Sequence, residues 1–216
     1  CVELPIQRLF LQITASKSLK LYGGDAKDAY THAPPSEIPS YLSIDDQYAE
    51  RDKHKYAKET DRRQVLPIER ALQGHPEAAR LWSKLIDGII KNLGLKATTH
   101  EPCLYSTSNY NNSGKRVLFL RQVDDFAVAC EDKETALHVI SAINGKMSIE
   151  VKQLGTISRF NGIDVEQSRH FVKIYNKTYI EKIGLQYKWL QDEKPLSDIK
   201  PIPMIATTEY QKQLET

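Results

Sequence analysis

Residues 117–130, with the sequence VLFLRQVDDFAVAC, decide the fold. Two apolar runs, 117–120 and 126–130, flank a short polar connection that contains Asp124 and Asp125. Each run is apolar at consecutive positions, which is typical of a strand that is covered on both faces. The connection has the length of a hairpin loop. The segment therefore predicts two adjacent antiparallel strands in the interior of a sheet.

The sequence around this hairpin supplies helices to cover a sheet. The clearest helix is predicted over 77–93, where Leu81, Leu85 and Ile89 lie on one apolar stripe between Pro76 and Gly94. Weaker helical patterns occupy 4–18, 131–147 and 178–183, and strands are predicted at 19–22, 41–44, 103–107, 160–165 and 171–175. Prolines predict irregular structure over 31–39, and the pattern fades after 185. We therefore predict an α+β fold with an antiparallel sheet packed on helices.

Composition excludes several classes of protein. The chain has 216 residues, of which 40% are hydrophobic and 27% charged, enough for a domain with a real core and unlike a coiled coil or a disordered tail. No apolar run approaches the roughly 18 residues that a membrane span requires. The 30 Lys and Arg against 28 Asp and Glu leave a net charge of +2, so overall charge does not by itself indicate a nucleic-acid partner.

The cysteines and the first residue point to an intracellular piece of a longer protein. Cys1, Cys103 and Cys130 form no CxxC pair, which argues against a disulfide framework or a cysteine-rich zinc site and favours a reducing compartment. The chain begins with Cys and shows no secretory signal. We expect a cytoplasmic protein.

The adjacent carboxylates of Asp124 and Asp125 carry the clearest chemical signal. Two like charges between buried strands repel each other and are costly to desolvate unless a cation neutralises them. Asp25 also lies at the end of an apolar strand, the one predicted at 19–22. Two strand ends that carry carboxylates can meet side by side in one sheet. Oxygen ligands of this kind suit Mg²⁺. The alternative is that Asp124 and Asp125 are solvated turn residues.

Four segments follow one another along the chain: 25–30 (DAKDAY), 72–82 (LQGHPEAARLW), 122–125 (QVDD) and 150–165, which begins EVKQLG and ends FNGIDV. These segments resemble motifs of the reverse transcriptase domain of copia-type (Ty1/copia) retrotransposons. Residues 25–30 resemble the first polymerase motif, and residues 72–82 resemble LYGLKQAPRAW. Residues 122–125 resemble YVDD, and residues 150–165 resemble the segment that begins MKDLG and ends FLGIEV. Gln122 and Gln73 stand where the copia motifs have Tyr. Because the four segments are collinear, they carry more weight together than any one of them alone.

The resemblance implies a polymerase palm with partial fingers over 1–185 and an incomplete palm-to-thumb or connection segment over 186–216. It implies an RNA-directed DNA polymerase that transfers a nucleotide from a dNTP to a primer 3′-hydroxyl, with two Mg²⁺ ions that Mn²⁺ can replace. The implied partners are an RNA and DNA template-primer, the dNTP, and the rest of a Pol polyprotein with its fingers, thumb and RNase H. The implied location is a cytoplasmic virus-like particle, without a membrane partner.

The resemblance also implies roles for individual residues. The catalytic and metal-binding residues would be Asp25, Asp124 and Asp125, with the main-chain carbonyl of Ala26 as a further ligand. Nucleotide binding would fall to Asp28, Ala29, Tyr30, Gln73 and Gly74, and primer or template contact to Gln122 and Val123. Tyr30 would exclude a 2′-hydroxyl and so select deoxynucleotides.

Other interpretations of these residues stay open at this stage. Tyr30 can instead be a core residue, and 73–74 a plain turn before the helix. Residues 51–63 hold six basic against three acidic side chains and either contact phosphate or form a solvated loop. For the whole chain, the alternatives to a polymerase are a degenerate remnant that at most binds nucleic acid, and another two-metal phosphoryl-transfer enzyme.

Overall fold

A computed structural model describes residues 2–44, 65–147, 151–168, 171–187 and 189. The elements in chain order are α1 Leu4–Ser16, β1 Lys20–Asp25, a 3₁₀-helix Ala29–His32, β2 Tyr41–Ser43, β3 Val65–Pro67, α2 Ala78–Asn92, β4 Lys96–Ala97, β5 Leu104–Tyr110, β6 Lys115–Gln122, β7 Asp125–Cys130, α3 Lys133–Asn144, β8 Lys152–Thr156, β9 Arg159–Phe160, β10 Ile163–Gln167, β11 Val172–Tyr175 and α4 Lys177–Gln186.

The main sheet is antiparallel and places the predicted hairpin at its centre. Within the described residues it has six strands in the order β4-β5-β6-β7-β1-β8. The hairpin strands β6 and β7 pair from Val117 with Cys130 to Gln122 with Asp125, and β7 pairs on its other edge with β1. The prediction of two covered, adjacent strands is confirmed. Strands β2 and β3 form a separate pair, and β9, β10 and β11 form a three-stranded sheet in the order β11-β10-β9.

Helices cover both faces of the main sheet, which explains why β6 is apolar at consecutive positions. Val117 and Phe119 pack into one cluster with α2 and α3, whereas Leu118 and Leu120 pack into another with Phe10 of α1. Alternate residues of a strand point to opposite faces, so the four apolar residues 117–120 serve two cores. The prediction of an antiparallel sheet packed on helices is therefore confirmed, and the assignment to palm and partial fingers stays a prediction.

Buried polar contacts fix α2 against the sheet. Arg121 is buried, and its guanidinium donates to the Ser83 hydroxyl at 2.8 Å and to the Tyr105 hydroxyl at 3.3 Å. The Tyr105 hydroxyl donates to Asp87 of α2 at 2.9 Å. Burial raises the pKa of Tyr105 to about 12, so the hydroxyl stays protonated at neutral pH.

The sequence predictions of local structure differ from the fold in a few places. The predicted strand over 160–165 is two strands, because Asn161 and Gly162 both adopt left-handed backbone, with φ of 47° and 78°, and form a tight turn between β9 and β10. The irregular stretch predicted over 31–39 begins later, since the 3₁₀-helix extends to His32. Short strands β3, β4 and β8 carry too few periodic residues to be predicted. The basic segment 51–63 lies outside the described residues, as do all but 186, 187 and 189 of the segment 186–216.

The chain divides into two compact units, Cys1–Asn161 with Val165–Ile174 and Gly162–Asp164 with Tyr175–Thr216. In the second unit, the Asp164 carboxylate accepts from the Thr178 amide at 2.8 Å and from the Thr178 hydroxyl at 2.7 Å, which satisfies donors in the first turn of α4. In the described part of the chain, no helix combines the length and the apolarity that crossing a bilayer would take.

Candidate active site

Two neighbouring strands bring the predicted carboxylates to one end of the main sheet. Asp25 is the last residue of β1, Asp125 is the first residue of β7, and the two are direct partners in the antiparallel ladder. Such partners have Cβ atoms about 4.5–5.5 Å apart. Asp124 immediately precedes Asp125. The prediction that two strand ends with carboxylates meet in one sheet is thus confirmed.

The loop of the β6–β7 hairpin has an unusual backbone. Only Val123 and Asp124 lie between the paired ends of the strands, and Val123 has a φ of 54°. A left-handed first position matches the twist of a two-residue hairpin, but it is costly for a β-branched residue. The sequence contains no Gly or Asn here, and Val123 adopts this conformation instead. Such strain is typical of functional loops that neighbouring contacts hold in place.

Two hydrogen bonds hold the backbone on either side of Asp124. The indole Nε1–H of Trp82 donates to the Val123 carbonyl at 2.8 Å, which fixes the peptide group that precedes Asp124. The Ala26 amide donates to the Asp124 carbonyl at 2.8 Å, which fixes the peptide group that follows it. Because Ala26 directly follows Asp25, the second bond also ties the two carboxylate-bearing segments to each other.

The electrostatics of Asp125 show that the three carboxylates interact. Burial raises the pKa of Asp125, and the negative charges of Asp124 and Asp25 raise it further. The Asn161 amide, which donates to Asp125 Oδ2 at 3.3 Å, and the Arg159 charge act in the opposite direction without cancelling the rise. An unneutralised trio of carboxylates is therefore unfavourable, and a bound cation would relieve it.

The donor atoms available here suit a hard divalent cation. Asp25 and Asp124 offer carboxylate oxygens, with Asp125 beside them and the Ala26 carbonyl as a main-chain donor, and Mg²⁺ prefers such oxygen ligands. Within the described residues, no group of three or more His, Cys, Asp or Glu side chains is placed to hold a metal ion by itself. The residues fit a cation whose coordination is completed by other oxygens, such as those of a triphosphate.

The residues that follow Asp25 form a compact loop. Asp28 is exposed, with a left-handed φ of 52°, and precedes the 3₁₀-helix; Ala29 is buried. Tyr30 is half-buried and packs against the core cluster beneath α2 and α3. Partial burial is compatible with both interpretations of Tyr30, as a wall beside a sugar and as a core residue.

The remaining predicted residues occupy two other positions. Gln73 and Gly74 are exposed in the turn that precedes α2, and Gly74 has a φ of 91°. The side-chain oxygen of Gln122 accepts from the backbone amide of Val2 at 2.6 Å, so the Gln122 side chain binds the N-terminal segment. Gln122 otherwise lies beside the carboxylates, since it pairs with Asp125.

Sequence reasoning missed three residues that shape this site. Trp82 was predicted only as a member of the helix over 77–93 and of the motif segment 72–82, although a buried indole N–H needs an acceptor, and that requirement is the signal that singles it out. The Asn161 amide binds Asp125, and an Asn-Gly pair marks the turn that presents it. His32 is buried against the Trp82 ring, and no local pattern in the sequence indicates its contacts.

Comparison with known proteins identifies the family of the chain. The profile of the family described as reverse transcriptase (RNA-dependent DNA polymerase) matches residues 1–204. The chain is 24% identical over 200 residues to the retrovirus-related Pol polyprotein from transposon TNT 1-94 of Nicotiana tabacum, an alignment that covers 91% of this chain and 14% of that protein. The chain thus spans about one seventh of the relative's length. The match over nearly the whole chain shows that the chain belongs to the reverse transcriptase family.

Proposed function

We propose that this chain carries the catalytic centre of an RNA-directed DNA polymerase that adds deoxynucleotides to a primer 3′-hydroxyl with two Mg²⁺ ions. The observation that carries the proposal is the pairing of Asp25 with Asp125 across β1 and β7, with Asp124 hydrogen-bonded through its carbonyl to Ala26. These contacts gather three carboxylates at one sheet end in a chain whose family performs this chemistry.

Asp25 and Asp124 would hold both ions, and Asp125 would contribute as the second member of its pair. When bound, the ions would neutralise charge on the triphosphate and lower the pKa of the attacking hydroxyl. The new bond joins the primer 3′-oxygen to the α-phosphorus, the bond to pyrophosphate breaks, and the hydroxyl proton leaves to solvent. The contribution of the protein is mainly placement and electrostatic stabilisation, which suits carboxylates that are fixed on paired strands.

The loop after Asp25 would receive the nucleotide. Asp28 and Ala29 would lie under the triphosphate and sugar, and Tyr30 would pack against the 2′ carbon and select deoxynucleotides. Gln73 and Gly74, exposed before α2, would contact the nucleotide or the template, and Gln122 and Val123 the primer. The proposed partners are the template-primer, the dNTP and the other domains of a Pol polyprotein, and the proposed location is a virus-like particle in the cytoplasm.

One observation favours a second candidate function. Gln122 stands where the copia motif has Tyr, and its side-chain oxygen accepts a hydrogen bond from the Val2 amide at 2.6 Å. This finding fits a degenerate palm that binds nucleic acid without turnover. The two candidates differ in whether the carboxylates support metal-dependent synthesis.

Primer extension on an RNA template separates the two candidates. We expect Mg²⁺-dependent extension by the 216-residue chain or by the chain joined to the remaining Pol domains, and loss of extension in Asp25→Asn and Asp124→Asn. Glu131→Gln is the matched control, because Glu131 is exposed and lies beyond the opposite end of β7 from Asp125. Absence of extension in both forms of the protein, with intact folding, would refute the polymerase.

A further inference from the structure

We propose that Trp82 is a positioning residue that sets the placement of Asp124 relative to Asp25. The inference rests on the proposed function for its catalytic consequence, but its structural content concerns only the hydrogen bonds of this chain. Trp82 lies in the first half of α2 and is 2% exposed. Its side chain carries no charge that could act on the carboxylates, so any effect of Trp82 on the chemistry must pass through the residues that it contacts.

The first link runs from Trp82 to the hairpin loop. Its Nε1–H donates to the Val123 carbonyl at 2.8 Å, and Val123 has the strained φ of 54°. A residue in that conformation persists only where neighbouring contacts hold it. The bond therefore stabilises the strained loop conformation and orients the peptide group from which Asp124 projects.

The second link runs from Trp82 to the loop after Asp25. The rings of Trp82 and His32 have centroids 5.9 Å apart, and His32 is buried. His32 Nε2 lies 3.1 Å from the Lys27 carbonyl and donates to it, because a carbonyl can only accept. Lys27 is two residues from Asp25. Trp82 thus contacts the hairpin loop directly and the loop after Asp25 through His32.

The Ala26–Asp124 hydrogen bond is the element that Trp82 controls. Asp124 accepts from Ala26 on one side while its other peptide group is held by Trp82, so loss of the indole N–H frees the loop to relax and weakens the bond to Ala26. A tryptophan that only fills the core would have no specific effect on Ala26. This difference makes the proposal testable without any assay of activity.

Trp82→Phe removes the N–H donor and keeps an aromatic ring in the core. We expect hydrogen exchange of the Ala26 amide to accelerate by about 10-fold, as expected for loss of one buried hydrogen bond, while the Ile140 amide in α3 changes little. Trp189→Phe is the matched control, because Trp189 is 75% exposed and belongs to the second unit. Equal acceleration at Ala26 and Ile140, or none at Ala26, would overturn the proposal.

A second measurement tests the catalytic consequence. In the form of the protein that extends primers, Trp82→Phe should lower kcat by about 10- to 100-fold, the effect of misplacing a reacting group by about 1 Å, and leave the KM for dNTP nearly unchanged. A rise in KM with unchanged kcat would contradict positioning of Asp124. If the wild type shows no synthesis but Ala26 responds as expected, the proposed function fails and the coupling through Trp82 stands.

Discussion

Gly24 precedes Asp25 in β1, and substitution by alanine tests how tightly α3 presses on this strand. A Cβ at position 24 would lie 2.9 Å from Cδ1 of Ile140 and 3.3 Å from Cγ1 of Val151. The first distance is shorter than real Cβ contacts allow, so a side chain or the strand must move. Both neighbours are buried, with exposures of 2% for Ile140 and 1% for Val151. We therefore expect Gly24→Ala to destabilise the fold and to displace Asp25.

The size of the effect follows from the crowding. Overpacking of a core by one methyl group costs about 1–3 kcal/mol, and the lower backbone entropy of alanine offsets about 0.5–1 kcal/mol of this cost, so Tm should fall by up to roughly 10 °C. Ile140→Val removes the atom that clashes and by itself costs about 0.5–1.5 kcal/mol. In the double variant the clash is absent, so the loss of unfolding free energy should be smaller than the sum of the two single losses by about 1 kcal/mol or more.

Urea unfolding of the four proteins, wild type, both single variants and the double variant, measures this coupling. Gly88→Ala is the matched control, since a Cβ at that helical position meets no atom within 4 Å and should stabilise the protein by about 0.5–1 kcal/mol. Additive losses in the double variant would refute the clash.

Three further predictions concern the candidate site. Asp125→Asn should raise Tm at pH 7 in the absence of divalent cations. Because the pKa of Asp125 is raised in the folded state, ionisation of this carboxyl lowers stability as the pH rises from the unfolded pKa of about 3.9 through the folded pKa. Thermal melts below this pH window should therefore show no gain in Tm for the variant. Tyr30→Ala should increase ribonucleotide relative to deoxynucleotide incorporation in single-nucleotide extension, and an unchanged ratio would remove its steric role. Mg²⁺ with dNTP should raise the Tm of the wild type, and Asp124→Asn should abolish this rise. An equal rise in Tm in the wild type and in Asp124→Asn would show that Mg²⁺ and dNTP bind elsewhere.

Local pattern predicted most of the helices and strands, and long-range contacts explain what it did not. The apolar runs on either side of Arg121–Asp125 predicted β6 and β7, because residues covered on two faces leave a distinct signal in the sequence. The pairing of Asp25 with Asp125 joins positions 100 residues apart, and only the complete sheet fixes it. The motifs singled out Asp25, Asp124 and Asp125 through a resemblance, and the sheet register pairs Asp25 with Asp125.

The backbone conformation of the β6–β7 hairpin loop could not be predicted from the sequence. Val123 has low intrinsic preference for positive φ, so its left-handed conformation follows from the contacts around it and not from its type. A tryptophan in an apolar helix stripe indicates burial but not its hydrogen-bond acceptor, and only the fold shows which carbonyl the Trp82 N–H reaches. For the same reason the turn at Asn161, which gives Asp125 its amide donor, was predicted as continuous strand.

We propose that the ends of β1 and β7 together bind divalent cations, and equilibrium Mn²⁺ binding can be followed by electron paramagnetic resonance. With dNTP present, we predict two bound Mn²⁺ per chain, affinities reduced by about 10-fold or more in Asp25→Asn and in Asp124→Asn, and wild-type binding in Glu131→Gln. Mn²⁺ binding that is the same in all four proteins would show that Asp25 and Asp124 do not hold the ions.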